Sequence, residues 1–463
     1  MNTAKTDAIE PGAGAAGEKT ILGHPRGLFV LFFTEMWERF SYYGMRALLI
    51  LYMTSHLIQH ALDGGYVFGF GVLKTGIETV FGPMAIQPLS SQIYGLYTGF
   101  VYFTPFFGGL LADKVIGQRK SVIIGSVLMA CGQFLLMSEV TFLPGLFFLI
   151  LGNGCFKPNI STQVGSLYAP GDPRRDRAFT IFYMGINLGA FFSPLVCGTL
   201  GQVYGWKYGF MAAGIGMIAG LCVYLWGQRF LARDHLSRTR AGEVKHEPLT
   251  AKEWKAIGAL VVLCSLNIVF WGVYEQQGNT IQLFADRNTD WTVFGWAMPS
   301  TWFQSFNPLF IFVLAPVFNM FWSWQAKRKT EPTSVTKMAI GAALLGAGFL
   351  PLMLVTRGLG ETEKITFLWL AGCTFIYTIG ELYLSPIGLS LVTKVAPARL
   401  VSMLMGIWFL SSFFGNYLTG YLGTYYEKMS RDSFFMMLMI LGLLTGAAIF
   451  ALNKPLKKAI GNV

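Results

Sequence analysis

The sequence predicts an all-α membrane protein of twelve transmembrane helices in two six-helix bundles, and three observations predict it. The 463 residues are 53% hydrophobic and 13% charged, with 40 Phe, a composition that belongs to a polytopic membrane protein rather than a soluble domain. Apolar windows of about twenty residues follow one another twelve times, six on each side of a charged stretch. The cationic residues fall in every second connection, as they do when those connections stay in the cytoplasm.

The first window, 27–54, follows a segment from Met1 to Lys19 that lacks the apolar centre of a secretory signal, so this span is retained. The next five lie at 88–112, 119–138, 142–164, 177–203 and 207–228. They complete an N-terminal bundle, 27–228, between a cytoplasmic tail, 1–26, and a charged cytoplasmic linker, 229–252. Windows at 254–276, 304–324, 335–356, 366–391, 400–424 and 433–453 make the C-terminal bundle, 253–453, followed by a cytoplasmic tail, 454–463. Lys114, Arg119 and Lys120 follow the second span, Arg174, Arg175 and Arg177 the fourth, and Arg229 to Lys252 the sixth. Lys327, Arg328 and Lys329 follow the eighth, Lys394 and Arg399 the tenth, and Lys454, Lys457 and Lys458 the twelfth. Each even-numbered exit is positive, which places both termini in the cytoplasm of a multi-pass protein. This topology accounts for the net charge of +11 without nucleic acid. No residue-level repeat is visible, so the reading of two similar halves rests on span count. The stretch from His56 to Ser90 is long, Gly-containing and partly apolar, and reads equally as a loop, an interfacial helix or a partial lid. The six cysteines stand singly in or beside apolar windows, without metal-ligand spacing, and read as small apolar residues.

The first window carries the strongest functional signal: Glu35-Met36-Trp37-Glu38-Arg39-Phe40-Ser41-Tyr42-Tyr43-Gly44-Met45-Arg46. A charge at a helix centre costs roughly 2.5–3.5 kcal/mol on insertion scales, against about 0.3–0.6 kcal/mol returned by each large apolar residue. Four charges therefore need partners or a wet cavity. At about 100° per residue, Glu35, Arg39, Tyr42 and Arg46 share a stripe flanked by Glu38 and Tyr43. Such a stripe lines a cavity between bundles or, on the bland reading, only bridges helices. Three more windows hold a lone charge: Lys157, Glu275 and Glu381. Pro158 and Pro386 each remove a helix hydrogen bond nearby, which bends those helices. Acidic residues in the second half and cations in the first invite bridges across the halves, and protonating a carboxylate would weaken its bridge. Tyr102, Asn187, Asn307, Ser385 and Trp408 complete the candidate cavity, although each fits helix packing as well. No Gly-x-Ser-x-Gly or His-Glu-x-x-His string is present, so an intramembrane enzyme is not expected.

Several strings together resemble the proton-dependent oligopeptide transporter family of the major facilitator superfamily, bacterial type. Glu35-x-x-Glu38-Arg39-Phe40-x-Tyr42-Tyr43 is similar to its first-helix signature, and Phe179-x-x-Phe182-Tyr183-x-x-Ile186-Asn187-x-Gly189 to its fifth. Gly108-Gly109-x-Leu111-Ala112-Asp113 with Gly117-x-Arg119-Lys120 resembles the superfamily's loop between helices two and three. Gly380-Glu381-Leu382, Ser385-Pro386 and Met405-Gly406-x-Trp408-Phe409 resemble the tenth and eleventh helices. The resemblance implies a proton-coupled symporter that imports di- and tripeptides, and peptide-like drugs, by alternating access. It implies no cofactor or metal, with protons as the coupling ion, and a monomer in the inner (plasma) membrane surrounded by lipid. It further implies proton coupling by Glu35, Glu38, Arg39 and Glu275. Arg46 and Lys157 would face the peptide carboxylate, Glu381 the amino terminus, and Tyr43, Tyr102, Asn187 and Asn307 the peptide backbone. Trp408 would belong to a side-chain pocket, and Arg46–Glu275 and Lys157–Glu381 would be the bridges that form and break. Animal members carry a functional histidine seven positions before the residue matching Tyr102; here that position is Gly95. The rivals are a symporter of another anion such as nitrate, against which Glu381 argues, and a non-transporting receptor.

Overall fold

The computed structural model describes residues 20–169, 172–232, 250–360, 362–395 and 401–460. The tail before residue 20, most of the expected linker, the extreme C-terminus and Arg399 lie outside the described residues.

Among the described residues, twelve long helices carry the twelve windows. In the first half they are α1 (Arg26–Tyr52), α2 (Ile86–Leu111), α3 (Gln118–Leu135), α4 (Phe142–Ser166), α5 (Arg174–Ser193) and α6 (Trp206–Gly227). In the second they are α7 (Ala251–Tyr274), α8 (Phe306–Lys327), α9 (Ser334–Gly348), α10 (Phe367–Val395), α11 (Val401–Gly423) and α12 (Arg431–Ala451). Among the described residues, seven stretches, those containing α5 to α10 and α12, are long and apolar enough to cross a membrane on composition alone. α1 is not among them because it carries Arg26, Glu35, Glu38, Arg39 and Arg46. Thr250 opens α7 with a capping box: its hydroxyl accepts from Glu253 N–H while the Glu253 carboxylate accepts from Thr250 N–H at 2.8 Å. Gly117 and Gly205, at φ 83° and 122°, turn the chain into α3 and α6 through a conformation that side chains disfavour.

The halves share one packing plan. In the first, α1 packs on α5 and α6, and α3 on α4 and α6; in the second, α7 packs on α11 and α12, and α9 on α10 and α12. This repeat in packing is present although the residue sequence shows none. Small residues make the close contacts, as expected where lipid removes the hydrophobic drive between helices. Gly125 faces Gly152 between α3 and α4, and Gly341 faces Gly380 between α9 and α10; a Cβ at Gly125 or Gly341 would lie 2.6 Å from the facing carbonyl oxygen.

Between the halves, α2 packs on α11 and α5 on α8. Gly95 of α2 meets Gly420 of α11 backbone to backbone, which leaves no room for a larger side chain at residue 95. The hydrogen bonds across the halves sit toward the end away from the chain termini. Gln87 Nε2 donates to Gly423 O at 3.0 Å, Ser91 Oγ to Asn279 Oδ1 at 2.9 Å, and Ser305 Oγ to Phe191 O at 2.8 Å. The stretch between α1 and α2 is partly helical, with an amphipathic helix, Phe70–Phe81, that buries Phe70 and Ile77 and leaves Val72 and Val80 outside. It lies at that same sealed end, where Phe68 N–H donates to Val140 O at 3.0 Å and the Phe81 ring meets Tyr421.

Candidate functional site

The charged stripe of α1 is buried and divides into two groups. Nearer the helix start, Arg39 Nε lies 3.0 Å from Glu35 Oε1 and 2.5 Å from Glu38 Oε2. All three side chains are buried, so one guanidinium sits between two carboxylates in a medium that does not screen them. The Arg39 guanidinium also lies over the Tyr42 ring, 5.5 Å from its centroid. Lys157 of α4 interacts electrostatically with both carboxylates, and its Nζ stands 4.4 Å from the centroid of the Tyr102 ring.

Two turns on, Arg46 reaches the other half. Its Nη2 pairs with Glu275 Oε2, and its Nε donates to Tyr94 Oη at 2.8 Å. Glu275 is placed by a short 3-10 turn, Glu275–Gly278, that interrupts the seventh span after α7. Gln276, its neighbour, turns away to bond Thr419 O at 2.9 Å. Of the two bridges anticipated from the resemblance, Arg46–Glu275 is formed. Lys157–Glu381 is not formed in this conformation: neither residue has an ion-pair partner within bonding distance among the described residues, and Glu381 instead accepts from Asn307 Nδ2 at 2.9 Å. Asn307 is held in turn by Thr378 Oγ1 at 3.0 Å and by the Tyr274 hydroxyl, which donates to its Oδ1 at 3.3 Å.

A cavity of about 140 Å³ lies between the halves, beside the Arg46–Glu275 pair. Tyr43, Arg46, Tyr102, Asn187, Glu275, Asn307 and Glu381, all singled out from the sequence, line it together. Glu35, Glu38, Arg39, Lys157, Ser385 and Trp408 do not. Lys157 stands behind the Tyr102 ring, and buried Trp408 packs against Gly388 two residues past Pro386, so both are separated from the cavity in this state. The lining adds Tyr183, Trp271, Tyr274, Gln277 and Gln304, none of them a site candidate from the sequence. Gln277 accepts from Tyr377 Oη at 3.1 Å, and Gln304 Nε2 donates to Gln277 O at 3.2 Å, so the amides are fixed before any ligand enters. Pro158 leaves the Gly154 carbonyl without a helical donor, and that carbonyl faces Gly108 of α2; one residue away Asn153 Nδ2 donates to Val101 O at 3.1 Å.

The cavity thus holds a neutralised pair at one wall, a carboxylate with only neutral partners at the other, and tyrosines and amides between. Chemically, such an arrangement is suited to a ligand with a cationic group and a polar backbone.

The family model described as the POT family matches residues 119–243 and 238–439. The chain is 33% identical to the peptide transporter YePEPT of Yersinia enterocolitica over 98% of its own length and 99% of that protein's. It is 30% identical to a di-/tripeptide transporter of Lactococcus lactis subsp. cremoris over 96% and 98%. Among solved structures it superposes on a peptide transporter POT in complex with sulfate with TM-score 0.84 at 32% identity, covering 97% of this chain and 98% of that one. A mutant of a POT peptide transporter in complex with alafosfalin matches with the same TM-score, identity and coverage.

Proposed function

The chain belongs to the POT family of peptide transporters, and from that premise we propose that it imports di- and tripeptides with protons by alternating access. It is a multi-pass membrane carrier and not an enzyme. The observation that carries the substrate reading is Glu381: a cavity-lining carboxylate whose hydrogen-bond partners are neutral, facing a lining that bears Arg46. A peptide's amino terminus supplies the missing cation, and its carboxylate is drawn to Arg46 and Lys157. Two opposed poles with fixed amides between them hold the ends and backbone while reading few side chains. Peptide-like drugs with both ends enter on the same terms. Tyr43, Tyr102, Asn187, Asn307, Ser385 and Trp408 serve the peptide, the last two when α10 and α11 move.

Charge counting supports the proton reading. Arg39 balances only one of Glu35 and Glu38, so a proton on the second leaves that group neutral and Lys157 with one fewer attractor. Lys157 is then free to meet the peptide carboxylate or Glu381. Glu275 couples the same event to the outer seal through Arg46. With both termini in the cytoplasm of the inner membrane, the sealed end faces outward and this conformation is inward-facing. The chain works as a monomer with protons as its coupling ion, since each half supplies one wall of the cavity.

The test is uptake of a panel of peptides into proteoliposomes under an imposed proton gradient. Di- and tripeptides are expected to accumulate and tetrapeptides not. Accumulation of tetrapeptides, or competition by nitrate as strong as by dipeptide, would overturn the substrate class. Peptide binding without gradient-driven uptake would instead indicate a receptor.

A further inference from the structure

At the sealed end α5 does not stop at Ser193. Two π-helical turns, Pro194–Gly198 and Leu200–Tyr204, continue it. A π-turn inserts a residue and re-aims those that follow, which is why such turns recur at functional positions. Here they turn Gly198, Thr199 and Gln202 onto one feature of the other half, the 3-10 turn Ser300–Ser305. Gly198 sits so close to Thr301 that a Cβ would overlap its side chain. Thr199 Oγ1 accepts from Trp302 Nε1 at 2.8 Å.

Gln202 makes the densest connection. Its Nε2 donates to Asp286 Oδ1 at 3.1 Å and to Ser300 Oγ at 2.8 Å. Its Oε1 accepts from Thr301 N–H at 3.1 Å and from Thr301 Oγ1 at 2.9 Å. Ser300 Oγ closes the ring by donating to Asp286 Oδ1 at 2.6 Å. All four bonds of one neutral amide therefore cross between the halves, away from the cavity and from the charged stripe of α1. Leu51, Thr54, Ser55, Trp206 and Leu283 surround the cluster, and Arg287 beside it is engaged by Glu427 at 2.7 Å.

We propose that Gln202 is the latch of the outer gate: its amide holds the two halves together while the outer end is closed and must release Asp286, Ser300 and Thr301 before the outer side can open. The proposal rests on the alternating-access reading. It assigns closure of the outer end to a residue that touches neither peptide nor proton site. An amide suits the task because it donates to the carboxylate and accepts from the threonine at once, which neither a carboxylate nor an ammonium can do.

The test uses the full-length protein in nanodiscs, with a distance-reporting label pair on exposed outer positions of the two halves, Leu62 and Phe294. Gln202→Leu is expected to raise the ratio of separated to closed outer ends about tenfold, and Gln202→Glu, which sets a second carboxylate against Asp286, to raise it further. Adding Asp286→Asn to Gln202→Glu should return the ratio most of the way to wild type, a reversal that general damage to the fold would not show. Thr301→Val, made from the partner side, should shift the ratio in the same direction by about threefold and keeps the test available if the Gln202 variants do not fold. Unchanged distances in Gln202→Leu and Thr301→Val, or no reversal by Asp286→Asn, would overturn the latch. If the wild-type labels show no peptide-dependent change at all, it is alternating access that fails instead.

Discussion

Glu38 is wholly buried, and its one ion-pair partner among the described residues is Arg39, which it shares with Glu35. A charge in that position is held by Arg39, which it shares, and by the field of Lys157, so neutralising it removes no directed contact to another helix while loosening the hold on Lys157. Glu38→Gln is therefore expected to fold and to exchange labelled for unlabelled dipeptide across the membrane, while gradient-driven accumulation falls at least about tenfold. Accumulation with the wild-type dependence on pH would remove Glu38 from the coupling machinery. The charged residues of the site were legible in the sequence because a charge inside an apolar window has a large insertion cost and demands a reason. Tyr94, Tyr274, Gln277 and Gln304 were not, because neutral polar side chains cost little to insert and satisfy themselves through helix packing. The state of Lys157 and Glu381 was illegible for a different reason: pairing depends on where two rigid halves stand, which one chain's residue pattern does not encode.

Element positions were legible to within a few residues, because hydrophobic length is set by the bilayer. Irregular backbone was not: the π-turns after α5 and the 3-10 turn holding Glu275 have no residue signature, and in a stretch that read three ways the helix Phe70–Phe81 removes the loop reading for those residues. The short antiparallel pair before α1, Thr20–Ile21 with His24–Pro25, is a further case. It straps the start of α1 to the α4–α5 connection through His24 Nδ1 and Tyr168 Oη, 2.8 Å apart, and through Arg174 Nη1, which donates to Gly23 O at 3.2 Å. Burial, with help from Arg174 and Arg177 and against Asp172, lowers the His24 pKa below its ordinary 6.5. The folded protein thus binds this proton less readily than the unfolded chain. The contribution of His24 to stability is full above the unfolded value and is lost as pH falls through the folded one. Melting temperatures in detergent between pH 7.5 and 5 should accordingly fall less steeply in His24→Gln than in wild type. Equal slopes would show that the strap does not titrate.

At the scale of the whole molecule the transport reading needs the halves to part at one end and meet at the other, and the α2–α11 crossing states where the meeting is. A Cβ at Gly95 would lie 2.6 Å from Gly420 Cα and 2.9 Å from Asn416 O, all backbone, so no side chain can move aside and the helices themselves must separate. Near the opposite end of α11, a Cβ at Gly406 would find its nearest neighbour, the Phe106 ring, at 3.6 Å, an ordinary contact. The same added methyl group should therefore act very differently at two places on one interface. Gly95→Ala wedges the sealed end and is expected to lower dipeptide uptake about tenfold, the scale of an overpacked contact, while making the outer face of the cavity accessible to a membrane-impermeant thiol reagent through a cysteine placed at Tyr43. Gly406→Ala should leave both uptake and that accessibility within about twofold of wild type, since relieved contacts of this size cost little. Equal effects at the two sites would mean that the crossing at Gly95 and Gly420 is ordinary packing rather than the seam along which the outer half of the molecule closes.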